Sequence, residues 1–163
     1  MSRRRQTVWV ALAGVAAVTL YAAFAAVQIL VLNPLAAAPG LTLDEIHARM
    51  SDEGESLGPS MVLGILGAGV VLAIGVAVVA ILQKSRPLVT AMCFLAVLTG
   101  GTPAYFVASF GPGMALADTF MISGADASHW SLVLHLTSAL SLLVVLVGAV
   151  VVALRSPAAP ALA

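Results

Sequence analysis

Four long stretches of this chain, at about residues 7–32, 59–82, 88–110 and 130–154, contain no Asp, Glu, Lys or Arg at all. A bilayer core of about 30 Å is crossed by about 20 apolar residues in a helix, and each stretch meets that length. Hydrophobic residues make up 61% of the chain and charged residues 9%, whereas a soluble domain carries about 25% charged residues. Too little charge is present to cover a water-facing surface. The expectation is an all-α membrane protein: one four-helix transmembrane bundle over residues 1–163, with the lipid bilayer as its first partner.

Orientation follows from the charges outside the stretches. Arg3, Arg4 and Arg5 precede the first, Lys84 and Arg86 separate the second from the third, and Arg155 follows the fourth. The other two connections hold every acid: Asp44, Glu45, Asp52, Glu53, Glu55, Asp118 and Asp126, with Arg49 as their one cation. The positive-inside rule places both termini in the cytoplasm. The predicted location is a cell membrane, crossed several times, and the richness in Ala, Val, Leu and Gly points to a bacterial cytoplasmic membrane. A competing reading makes the first stretch a signal peptide, cleaved near Ala23-Phe24-Ala25. The apolar run exceeds the roughly 7–15 residues of a signal core, so the first span is expected to be retained.

The first acidic connection opens with the turn-forming pairs Asn33-Pro34 and Pro39-Gly40. Thr42-Leu43-Asp44-Glu45 then fits the capping box. Leu43, Ile46, His47 and Met50 share a helical face, so a short amphipathic helix is expected on the outer membrane surface, as a bundle cover or a docking surface. The second acidic connection echoes the first. Pro39-Gly40 aligns with Pro112-Gly113 at a shift of 73 residues (39 to 112), and Lys84-Ser85-Arg86-Pro87 resembles Arg155-Ser156-Pro157. A duplicated two-helix hairpin would explain this, and so would two hairpins built alike by convergence.

Polar residues inside a span need partners, because lipid supplies none. Gln28, Tyr105 and His135 each lie roughly 6–8 Å below the outer end of their span. Gln28 continues a face through Gly14, Tyr21 and Ala25, and His135 belongs to a stripe with Ser131, Ser138 and Ser141. Gly100-Gly101-Thr102-Pro103 should break the third span, since Pro103 cannot bond the carbonyl of Thr99. Thr99, Thr102 or a neighbouring helix must compensate. Gln28, Thr99, Thr102, Tyr105, His135 and Ser138 are therefore the candidate polar pocket. They form either a hydrogen-bonded knot between helices or a ligand site.

No catalytic residues, metal ligands or cofactors are expected. His135 lacks a second histidine within the spans for haem ligation, and Asp52-Glu53-Gly54-Glu55 does not fit a calcium loop. The lone Cys93 rules out an intrachain disulfide and reads as a small buried apolar residue. Gly64, Gly67, Gly69 and Gly75 suggest close helix packing, within the bundle or between protomers. The functional expectation is a non-enzymatic structural or accessory subunit of a membrane assembly, partnered by other membrane subunits or by itself as a homo-oligomer, with no nucleic acid. The alternative is a small oligomeric transporter or channel using the outward-facing pocket of Gln28, Tyr105 and His135.

Overall fold

A computed structural model describes residues 3–155; Ser156 and Pro157 of the repeated end motif fall outside the described residues. It is all-helical, with five helices and no strand among the described residues. These are α1 (Arg3–Ala37), α2 (Leu43–Asp52), α3 (Pro59–Leu82), α4 (Pro87–Phe120) and α5 (Ser131–Arg155). All but α2 are long and apolar enough to cross a membrane. Pro59 and Pro87 open α3 and α4, where the missing N–H costs no helical bond. The hydroxyl of Thr7 donates to the Ser85 carbonyl at 2.8 Å, which ties the start of α1 to the α3–α4 turn.

Packing is uneven. α1 lies along α3, and the first half of α4 lies on α1 and α5. Beyond Gly100 the second half of α4 turns towards α3 and α2. The core follows this route in three clusters. Ala11, Val18, Ala73 and Phe94 fill the end near the N-terminus, where the absence of a side chain on Gly14 admits the Phe94 ring. Ala25, Ile29, Val62, Leu66, Tyr105 and Leu134 fill the middle. Ile46, Met50, Leu57, Ala115 and Leu116 close the far end. Within the most apolar window of each long helix, no more than 22% of residues are buried. Leu20, Val71 and Leu82 are at least 70% exposed, so the helices present a broad apolar exterior.

Two boundaries differ from the sequence expectation. Asn33-Pro34 does not turn the chain, because α1 runs on to Ala37. A π turn over Gln28–Leu32 widens the helix there, and the Asn33 N–H reaches the Gln28 carbonyl. The wider turn accommodates the Pro34 ring, which would otherwise press on the preceding turn. Likewise α4 passes residue 110 and ends at Phe120, with Pro112 inside the helix. Burial of Ala115 and Leu116 against α2 outweighs the breaking tendency of Gly111, Pro112 and Gly113. Pro39-Gly40 does form a turn, so the two aligned Pro-Gly pairs have different backbones and the alignment does not extend to conformation.

The apolar side of α2 faces protein, where it covers the far end of the bundle. Ile46 and Met50 are fully buried against Leu57, Ala115 and Leu116, while His47 stays exposed. Thr42 and Glu45 make the reciprocal cap: the Glu45 N–H donates to the Thr42 hydroxyl at 3.3 Å, and the Thr42 N–H donates to the Glu45 carboxylate at 2.7 Å. The Thr42 backbone bond first, and then its hydroxyl, hold Glu45 below the usual carboxylate range. A depressed folded pKa gives stability above the unfolded value that is lost as pH falls through the folded one. The cap should therefore persist through neutral pH and open only in acid. Thr42→Ala should loosen α2 by about 0.5–2 kcal/mol. Amide exchange over residues 43–50 should speed up, and unchanged exchange would mean that packing alone holds the helix.

Candidate functional site

The break in α4 is where helix bonding is interrupted. Gly100 leaves the regular helix, and the N–H of Thr102 donates instead to the Ser138 hydroxyl of α5 at 3.1 Å. The Ser138 hydroxyl also meets the Tyr21 hydroxyl of α1 at 3.2 Å. A Cβ on Gly101 would lie 2.5 Å from the Tyr21 ring, so glycine at 101 is what seats Tyr21 on the break. The Thr102 hydroxyl pairs with His135 Nδ1 at 3.3 Å. Three helices thus meet at one backbone irregularity, with side chains replacing the missing helical bonds. Thr99 stands apart from this group, since its hydroxyl donates to the Leu95 carbonyl one turn back.

A second group lies one layer out. Gln28 is fully buried. Its Nε2 donates to the Ser128 carbonyl at 3.4 Å, and its Oε1 accepts from the Ser128 hydroxyl at 3.1 Å. Asn33 Oδ1 accepts from the backbone N–H groups of Ala127 and Ser128 at 2.8 and 3.2 Å. The Ser128 carbonyl also accepts from the Ser131 hydroxyl at the start of α5. So α1 holds the α4–α5 connection through two amide side chains spaced five residues apart, a spacing that the π turn between them shapes. The Tyr105 hydroxyl donates to Asp126 of the same connection at 2.9 Å.

The two groups touch through Tyr105 and His135, whose rings meet edge to face with centroids 5.5 Å apart. The structure therefore gathers Thr102, Tyr105, His135 and Ser138 around the break and places Gln28 on the connection. Gln28 and His135 have different hydrogen-bond partners. Asn33, Ser128 and Asp126 join the site although their segments read as turn and loop, where no local pattern marks a polar partner. Tyr21 was visible as part of the α1 face, though its partner was not.

Every buried side-chain nitrogen and oxygen among the described residues has a hydrogen-bond partner. No group of three or more His, Cys, Asp or Glu among them could hold a metal ion. Cys93 is exposed rather than buried, and it lines an open apolar groove with Val89 and Gly75. A Cβ added at Gly64, Gly67, Gly69 or Gly75 would meet nothing within 4 Å, so these glycines make no close packing within the chain.

The Thr102–His135 contact can be tested by coupling. His135→Leu and Thr102→Val should each cost about 1 kcal/mol. The double variant should fall short of the sum by about 0.5 kcal/mol or more, as contacting residues do. His135→Gln should be milder, since an amide donates and accepts. The Gln28→Leu and His135→Leu pair should come closer to additivity. Thermal unfolding in detergent reads all of these, and strict additivity for Thr102 with His135 would remove their contact.

No family model, curated protein or solved structure matches this chain.

Proposed function

We propose that this chain is a multi-pass membrane protein without catalytic chemistry, acting as a structural or accessory subunit of a membrane assembly. The observation that carries this reading is how the polar groups are used. Each buried side-chain polar atom among the described residues is engaged within the chain, while the long helices turn most of their apolar residues outwards. Polarity is spent on holding the helices in register, and the exterior suits lipid and neighbouring helices. The four glycines of α3 strengthen the case. Glycine weakens a helix interior unless close approach uses it, and here no group of the same chain approaches. A helix of another subunit, or of a second copy, is the natural neighbour.

The proposed topology has both termini in the cytoplasm and α2 with the α4–α5 connection outside. Six of the seven Lys and Arg residues gather at the end carrying Thr7 and Ser85, and every acid lies in the two opposite connections or at the adjoining end of α4. Reporter fusions after Met50 and after Asp126 should read as extracytoplasmic, and a fusion after Ser85 as cytoplasmic. A cytoplasmic reading after Met50 would reject this arrangement. The chain should also resist extraction from membranes by alkaline carbonate.

Purification in mild detergent with mass spectrometry should recover a defined partner or a homo-oligomer. Gly64→Leu should deplete it without unfolding the chain, and a monodisperse monomer free of companions would count against the subunit reading. A transporter or channel is the second reading, favoured by the half-buried His135 beside broken backbone. Liposomes holding the purified chain would then pass a solute, and His135→Gln would fold and stop the flux.

A further inference from the structure

A groove of about 440 Å³ lies between α2 and the neighbouring ends of α1 and α3. Its floor is apolar, made by Leu30 and Val31 of α1, Met50 of α2 and Leu57 of the following connection. Its polar rim carries His47 and Glu55. Small-molecule sites typically enclose about 300–1,000 Å³ with apolar walls and a few polar groups, so both size and lining fit a ligand.

Two observations say what kind. The groove sits where two helices long and apolar enough to cross a membrane give way to a charged connection. An occupant would lie with an apolar part beside the helices and a polar part at the rim. Charge then selects the polar part. Between α1 and α3, the acids Asp44, Glu45, Asp52, Glu53 and Glu55 face only Arg49 in formal charge, which repels anionic headgroups and attracts cationic ones. Glu55 is half-buried at the groove, and its carboxylate has no hydrogen bond or ion pair among the described residues. A primary ammonium brings three N–H donors to such a carboxylate, whereas a fully methylated one brings none.

We propose that this groove binds an aminophospholipid. One acyl chain lies along Leu30, Val31 and Leu43, the primary ammonium rests on Glu55, and the phosphate lies on the His47 side, where the imidazole and the Ser51 hydroxyl can donate to it. The proposal rests on the membrane reading above, which carbonate extraction decides separately. A chain that stays in the membrane but shows no lipid preference would sink only the lipid site.

The full chain, purified in detergent, is titrated with phosphatidylethanolamine, phosphatidylcholine and phosphatidylglycerol. Retained lipid is read by native mass spectrometry and thermal stability by unfolding. Phosphatidylethanolamine should bind about tenfold or more tightly than either of the others, the scale of one charge-assisted hydrogen bond. Glu55→Gln should collapse that preference, weakening phosphatidylethanolamine binding far more than phosphatidylcholine binding, which loses only the charge attraction. Equal binding of all three lipids, or a preference that survives Glu55→Gln, overturns the proposal. Should Glu55→Gln fail to fold, stepwise N-methylation of the headgroup decides with the unaltered protein. Affinity should fall as N–H donors are lost, and a flat series overturns the proposal.

Discussion

Asn33→Leu is expected to free the α4–α5 connection and to destabilise the chain by about 2–4 kcal/mol, well above the typical effect of a single substitution. One side-chain oxygen accepts from both the Ala127 and Ser128 N–H groups. Leucine accepts from neither. The Ser128 site is buried, so water does not readily replace the lost acceptor. Displacing Ser128 also strands Gln28, whose two amide atoms both bond that residue. Exchange of the Ala127 and Ser128 amides should accelerate about tenfold or more. Asn33→Asp keeps an acceptor and should retain part of that protection. Amides that stay protected in Asn33→Leu would show that Gln28 and the Tyr105–Asp126 bond hold the connection without Asn33.

Asn33 also marks where the sequence misleads. Asn-Pro is a sound turn signal, and Asn33-Pro34 follows an apolar run of the length a span requires. The helix nevertheless continues, because a π turn absorbs the proline and the buried Asn33 side chain finds two donors nearly a hundred residues along the chain. That partnership depends on tertiary contact and leaves no local trace. Pro112 misleads for a related reason: packing of Ala115 and Leu116 on α2 holds the helix together beyond it. Features set by local chemistry were legible. The four apolar runs, the reciprocal cap of Thr42 with Glu45 and the interruption at Gly100 all rest on residues close in sequence. The polar residues were legible as residues needing partners, and their depth was legible from the helical rise. Their pairing was not. Thr102 and Ser138 bond each other while Thr99 bonds its own helix, a choice made by how α4 bends between α1 and α5.

That bend should be a second sensitive point in the bundle. Gly101→Ala adds one carbon, and its position lies 2.5 Å from Tyr21 Cζ and 2.6 Å from the Tyr21 hydroxyl oxygen. Contacts that short are not tolerated, so the ring must leave its seat. Leaving breaks the bond between Tyr21 and Ser138, and Ser138 is the group that receives the Thr102 N–H freed at the break. Overpacking costs about 1–3 kcal/mol and each lost hydrogen bond about 1 kcal/mol, for an expected total of about 3 kcal/mol. The same substitution at Gly64, where an added Cβ meets nothing within 4 Å, should change stability by about 0.5 kcal/mol or less and in the favourable direction, because alanine is the better helix former. Tyr21→Leu shortens the side chain that obstructs the new carbon. Added to Gly101→Ala, it should recover part of the loss, giving a double variant more stable than the sum of the two single effects. Thermal unfolding of the purified chain in detergent compares all four variants directly. A neutral Gly101→Ala, or a double variant no better than additive, would mean that Tyr21 does not rest on the break, and the junction of α1, α4 and α5 would need a different origin.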